Sequence, residues 1–147
     1  MTTGSVAEHP TTRLLRRFLL AILLMGVTGT LAELCLLGHY EERWQLVPLV
    51  LLGFSLPAIA WCWKLPSAAA LRALQALMTL LVIAGGLGLY MHYTGNAEFE
   101  LEMYPGRVGF ELFWESLRGA TPALAPASLS WLGLIGLAYS FRHPARC

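Results

Sequence analysis

Glu33 is the only charged residue in the long apolar stretch that runs from Phe18 to Gly38. A carboxylate at membrane depth is costly and marks a functional position by default. Its chemistry could be proton exchange in a small proton- or cation-coupled carrier or channel. It could also be structural, with the carboxyl bonded to a Thr, Ser or Trp on a neighbouring helix. No Lys or Arg lies in this or any other long apolar stretch of the chain. Glu33 is therefore expected to face the interior of a helix bundle and to be neutral there, because an unpaired ion in a low-dielectric medium is expensive.

A second group gathers where apolar stretches end. His39, Glu41 and Glu42 follow the first, and His92, Glu98, Glu100 and Glu102 follow the third. Imidazoles and carboxylates together could hold a metal ion or haem. The spacing argues otherwise: there is no HExxH and no repeated HxxxH, so no metal and no cofactor is expected. Cys35, Cys62 and Cys147 form no CxxC pair, and the first two read as small core residues. GxGxxG, Walker A, GxSxG and CxxCH are all missing, and no residue is assigned a catalytic role. Gly85-Gly86-Leu87-Gly88 lies within an apolar stretch, which makes it a packing element and not a phosphate loop.

The elements that must position these residues follow from composition. Of 147 residues, 56% are hydrophobic and only 13% charged, with a mean hydropathy of +0.59. A soluble domain has about 25% charged residues, and one this small could not bury so much apolar surface. An ordinary soluble enzyme, a disordered chain and a nucleic-acid binder are excluded as readings. The expected fold is a single all-α integral membrane domain over 1–147. Four transmembrane helices at about 18–39, 46–63, 73–91 and 123–141 make a bundle, since lipid allows only helices or closed barrels and these runs do not alternate.

Arg13, Arg16, Arg17, Lys64, Arg72, Arg142 and Arg146, seven of the ten bases, fall on one side of such a bundle. Seven of the nine acids, all but Glu8 and Glu33, fall on the other. The positive-inside rule then puts both termini in the cytoplasm of a multi-pass protein, and Arg-rich usage suggests a bacterial inner (plasma) membrane. Residues 11–32 share the layout of a secretory signal, but the apolar run continues to Gly38, so the segment is expected to stay as the first span.

The outer loop, 92–121, has two halves. Glu98, Glu100 and Glu102 alternate with Phe99, Leu101 and Met103, a period of two that predicts an extended segment. After Tyr104-Pro105-Gly106, helical spacing puts Phe110, Phe113, Trp114 and Leu117 on one face of an amphipathic helix, expected to lie on the outer bilayer surface or to cap the bundle, with capping favoured because its polar face is not basic. Thr121-Pro122 reads as the start of the fourth helix, with Trp131 packed inside. Small-residue pairs such as Gly26/Thr30, Ala84/Gly88 and Gly136/Ser140 allow close helix contacts, within the chain or with a partner. The functional expectation is a non-catalytic accessory or structural membrane subunit that packs with a membrane-protein partner or with itself. The alternatives are a carrier or channel using Glu33, and a metal or redox protein using His39 and His92.

Overall fold

The structure, a computed structural model, describes residues 9–146. Those residues are mostly helical, joined by turns and short irregular segments, with no strand among them. The elements are α1 (Pro10–Leu36), a short 3-10 turn (Arg43–Gln45), α2 (Leu46–Lys64), α3 (Ala68–Met103), α4 (Gly109–Leu117), α5 (Ala127–Ser140) and a final 3-10 turn (Pro144–Arg146). Three helical segments, Pro10–Leu36, Arg43–Lys64 and Ala68–Met103, are long and apolar enough to cross a membrane. α5 is apolar but has only 14 residues.

α1 contacts α2, α2 contacts α3, α3 contacts α5, and α5 returns to α1, which closes a ring with α1 and α3 on the diagonal. Leu23, Val27, Leu52, Ile59, Leu71, Leu74, Met78 and Leu81 fill its centre. Large apolar side chains also cover the outside, among them Phe18 and Met25 on α1, Phe54 on α2, Ile83 and Leu87 on α3, and Leu134 on α5. A soluble monomer rarely shows so continuous an apolar surface.

The α3–α5 contact is the tightest in the molecule, and glycine makes it so. A Cβ at Gly133 would meet the Met78 carbonyl oxygen at 2.5 Å, and one at Gly85 would meet Ser130 N at 2.7 Å and the Pro126 carbonyl oxygen at 2.8 Å. Gly136 lies against Met78 and Gly88 against Pro126. Two polar bridges cross the same seam: Ser130 Oγ donates to the Val82 carbonyl (3.1 Å), and Gln75 Nε2 donates to Ser140 Oγ (2.9 Å). Gly26 of α1 is closed off by Leu132. Gly26, Gly85, Gly88, Gly133 and Gly136 are thus occupied within the chain.

These contacts fix an antiparallel register for α3 and α5. Pro122 lies at His92, Pro126 at Gly88, Ser130 at Val82 and Ser140 at Gln75. From His92 to Gln75 is about 26 Å of α3 at 1.5 Å per residue. Arg16 of α1 donates to the carbonyls of Tyr139 (2.5 Å), Phe141 (3.0 Å) and Arg142 (3.1 Å), where α5 ends. A cation there satisfies orphan carbonyls and complements the helix dipole. The start of α1 and the end of α5 therefore share one end of the ring, and the other is its distal end.

Four expectations are corrected here. Residues 96–103 are not extended but continue α3, because Ala, Glu, Leu and Met all favour helix and Glu98/Glu102 also fit a four-residue spacing. The helix stops at Tyr104, whose successor Pro105 disfavours a helical backbone before it. α5 begins at Ala127 instead of near Ala123: Pro126 has no N–H to continue a helix from Pro122, and 122–129 instead form successive turns, with Ala125 N to the Pro122 carbonyl and Leu129 N to the Pro126 carbonyl. Trp131 is not packed inside but is 67% exposed, since glycines on the other side of α5 face α3. Cys35 is exposed, whereas Cys62 is buried as expected; Cys147 lies outside the described residues.

Candidate functional site

Glu33 sits on the outside of the ring, exposed, and not in its interior. The register explains why. Gly26 faces Leu132 of α5, and Glu33 follows Gly26 by two helical turns on the same stripe. Because α1 and α5 run in opposite directions, the position facing Glu33 falls near Ala125, seven residues before Leu132. α5 does not start until Ala127, so no helix stands opposite the carboxylate. Gly29, on the same side of α1, has nothing within 4 Å of where a Cβ would be. The distal half of α1 therefore presents an open face, Gly29 and Glu33 flanked by exposed Met25 and Leu36.

The distal polar residues do not form one site. Glu41 and Glu42 are exposed, and their backbone N–H groups donate to Gln45 Oε1 (2.9 and 3.1 Å), a capping arrangement for the turn that leads into α2. Glu98 and Glu102 are also exposed. Glu100 pairs with Arg107, which also bonds Glu111 Oε1 through Nε (3.1 Å) and lies 4.1 Å over the Tyr104 ring. This knot closes the turn between α3 and α4.

His39 and His92 are brought near each other. Burial, and after it the positive charge of neighbouring His92, hold His39 below the ordinary imidazole value of 6.5. His92 Nδ1 lies 3.1 Å from the Pro122 carbonyl, the group that Pro126 cannot pair with. The ring thus completes the start of the fourth segment. Among the described residues, no three His, Cys, Asp or Glu side chains converge as metal ligands do.

The organising residue at the distal end is Asn96, on α3 just past the apolar run. Asn96 is buried, and its side chain makes three bonds. Nδ2 donates to the carbonyls of Ser116 (2.9 Å) and Thr121 (2.7 Å), and Oδ1 accepts from Thr121 N (3.2 Å). Gly119 lies directly on the amide, where a Cβ would sit 2.8 Å from Asn96 Nδ2. The clamp needs the carbonyl of Ser116, so it turns the Ser116 edge of α4 toward α3. The aromatic stripe is consequently left open: Phe110 is 76% exposed and Trp114 47% exposed. Two placements are expected for this stripe, against the bundle or on the bilayer surface; among the described residues, only Phe113 of its rings makes a ring contact with α3, at Tyr93 (5.9 Å). A signal was present, since a lone Asn just past an apolar run needs partners if buried.

The chain matches no protein family, no curated protein and no solved structure. Three helices of the ring are long and apolar enough to cross a membrane, and the open face of α1 carries the one carboxylate among their apolar stretches.

Proposed function

We propose that the protein is a non-catalytic subunit of a membrane assembly, which packs laterally against a partner through the distal half of α1. The observation that carries this reading is the exposed Glu33 on a face where α5 is too short to cover it. A carboxyl group there calls for a hydroxyl, amide or basic group from a helix outside this chain, and Gly29 lets such a helix approach closely. In this reading four segments cross the bilayer, the fourth made of α5 and the turns before it, and the bulk of the bases puts both termini in the cytoplasm of a bacterial cell. The carrier alternative needs Glu33 on a path through the bundle, and an outward-facing Glu33 lends it no support.

A photo-crosslinking residue at Gly29 is expected to give one dominant adduct in native membranes. Glu33→Gln, which keeps the hydrogen-bonding shape, should preserve the adduct, and Glu33→Leu should remove it without lowering the melting temperature of the purified chain. A missing adduct in the parent protein overturns the reading. An adduct untouched by either change, together with loss of a proton-coupled phenotype in Glu33→Gln, would favour the carrier.

Orientation has its own check. A cysteine at exposed Glu111 should react with an impermeant thiol reagent from outside the cell, and one at exposed Pro66 should not. Inverted labelling would reverse the assignment.

A further inference from the structure

Resting on the membrane-spanning reading above, we infer that α4 is an interfacial helix whose aromatic side lies in the headgroup and glycerol layer of the distal leaflet, on zwitterionic lipid. The first argument is level. Ser116 of α4 is tied to Asn96, but the Phe113 ring lies 5.9 Å from the ring of Tyr93. Tyr93 is one turn of α3 nearer the apolar span than Asn96. The polar flank of α4 is held the other way: Glu111 bonds Arg107 (3.1 Å), which pairs with Glu100, one turn farther from the span than Asn96. The stripe is therefore on the membrane side of α4.

The second argument is the shape of the stripe. With Ser116 toward α3, helical spacing puts Phe113, Phe110, Leu117 and Trp114 on one flank. They form a continuous ring surface: Phe110 lies 6.2 Å from Phe113 and is stacked 6.3 Å from Trp114. Glu111, Glu115 and Arg118 occupy the other flank, where Arg118 pairs with Glu115 (3.7 Å). Exposed Leu87 and Tyr90 on α3 continue the apolar surface below Tyr93. Aromatic rings with polar neighbours are the residues that settle at a membrane–water boundary.

The third argument is charge. Two Glu and one Arg give the solvent flank no attraction for anionic lipid. Burial of the rings must hold the helix down, so the attachment should be indifferent to salt and to anionic headgroups.

The test uses the full chain in vesicles of zwitterionic phosphatidylcholine. One variant keeps Trp114 as its only tryptophan and a second keeps only Trp131, the others being changed to Phe. On reconstitution Trp114 emission should shift to the blue and be quenched more by bromines near the lipid carbonyls than by bromines at the chain ends. Trp131 should show the reverse depth preference. Raising the salt or adding anionic lipid should leave the Trp114 signal unchanged. Trp114 reached by aqueous iodide and untouched by brominated lipid, while Trp131 is quenched, overturns the interfacial helix and leaves the membrane reading intact. Quenching of neither overturns both. Quenching of Trp114 that fades with salt overturns the lipid class. A nitroxide at Phe110→Cys, with all tryptophans kept and Cys35 and Cys147 changed to Ser, gives an independent reading. It should collide more with oxygen than with a water-soluble nickel chelate, and the opposite ratio overturns the proposal.

Discussion

Asn96→Ala should destabilise the distal end by about 2–4 kcal/mol, because it removes three buried hydrogen bonds at once and leaves their partners unsatisfied. The Ser116 and Thr121 carbonyls lose a shared donor, and the Thr121 N–H loses its acceptor. Gly119, packed on the amide, would also face a void. The loss should be local. α4 and the segment that follows it should become sensitive to a protease added in mild detergent, while the α3–α5 seam below keeps its protection from hydrogen exchange. Asn96→Asp is the sharper comparison. A carboxylate still accepts from Thr121 N but cannot donate to either carbonyl, so it should fail nearly as badly as alanine at neutral pH and recover in part when acid protonates it. Unchanged proteolysis of Asn96→Ala would show that the Arg107 knot alone holds α4 in place.

The second large effect is expected at Gly133. Its Cβ would press on backbone atoms, the Met78 carbonyl oxygen at 2.5 Å and Val82 N at 3.0 Å, and backbone cannot swing aside as a side chain can. Gly133→Ala should therefore push α5 off α3, stretch the Ser130–Val82 bridge, and cost about 1–3 kcal/mol, with a larger loss for Gly133→Val. Gly85→Ala should behave alike, since the backbone at Pro126 and Ser130 stands in the way. The pair should be less than additive, because the first change already opens the seam that the second would strain. Gly86→Ala is the control. It points to open space from within a helix and should be neutral or stabilising by about 0.5–1 kcal/mol. Unfolding in a graded detergent mixture would rank these variants, and a Gly133→Ala protein as stable as Gly86→Ala would refute the close approach.

The apolar runs were legible in the sequence as helices because each carries its own evidence: unbroken hydrophobicity, interrupted by few charges and bounded by turn residues. α4 was legible too, from the spacing of Phe110, Phe113, Trp114 and Leu117. What the sequence did not reveal depended on neighbours. The period-two pattern of Glu98 to Met103 fits a strand, yet the same residues are good helix formers at the end of a helix already nucleated in α3. The direction of Glu33 could not be read from α1 itself. It depends on α5 starting four residues later than the apolar run does, a consequence of Pro126. Arg16 was counted as an orienting charge and also caps α5, an interaction 123 residues distant in sequence. Asn96 is a single amide and belongs to no sequence pattern. Its importance comes from two carbonyls and one N–H that only the folded chain assembles. The polar residues around His39 and His92 share only their nearness to the ends of apolar runs, and the structure divides them among a cap, an ion-pair knot and a carbonyl contact.

The unequal lengths of α3 and α5 have a consequence for the surrounding lipid. α5 is about 21 Å long and α3 about 54 Å at 1.5 Å per residue, while a hydrocarbon core measures about 30 Å. In a bilayer the shortfall would fall on the α5 side only, since the surplus length of α3 is its polar end, 92–103, which can stand in water. Lipids beside α5 would then have to thin toward the turns at 122–126, and those beside α1 and α3 would not. Such a one-sided deformation costs a fraction of a kcal/mol per Å of mismatch and is relieved when the pinched side is shared with another thin-edged protein or sits in a thinner membrane. The bilayer itself would then bias where in the cell surface the chain resides and which flank it offers to a neighbour.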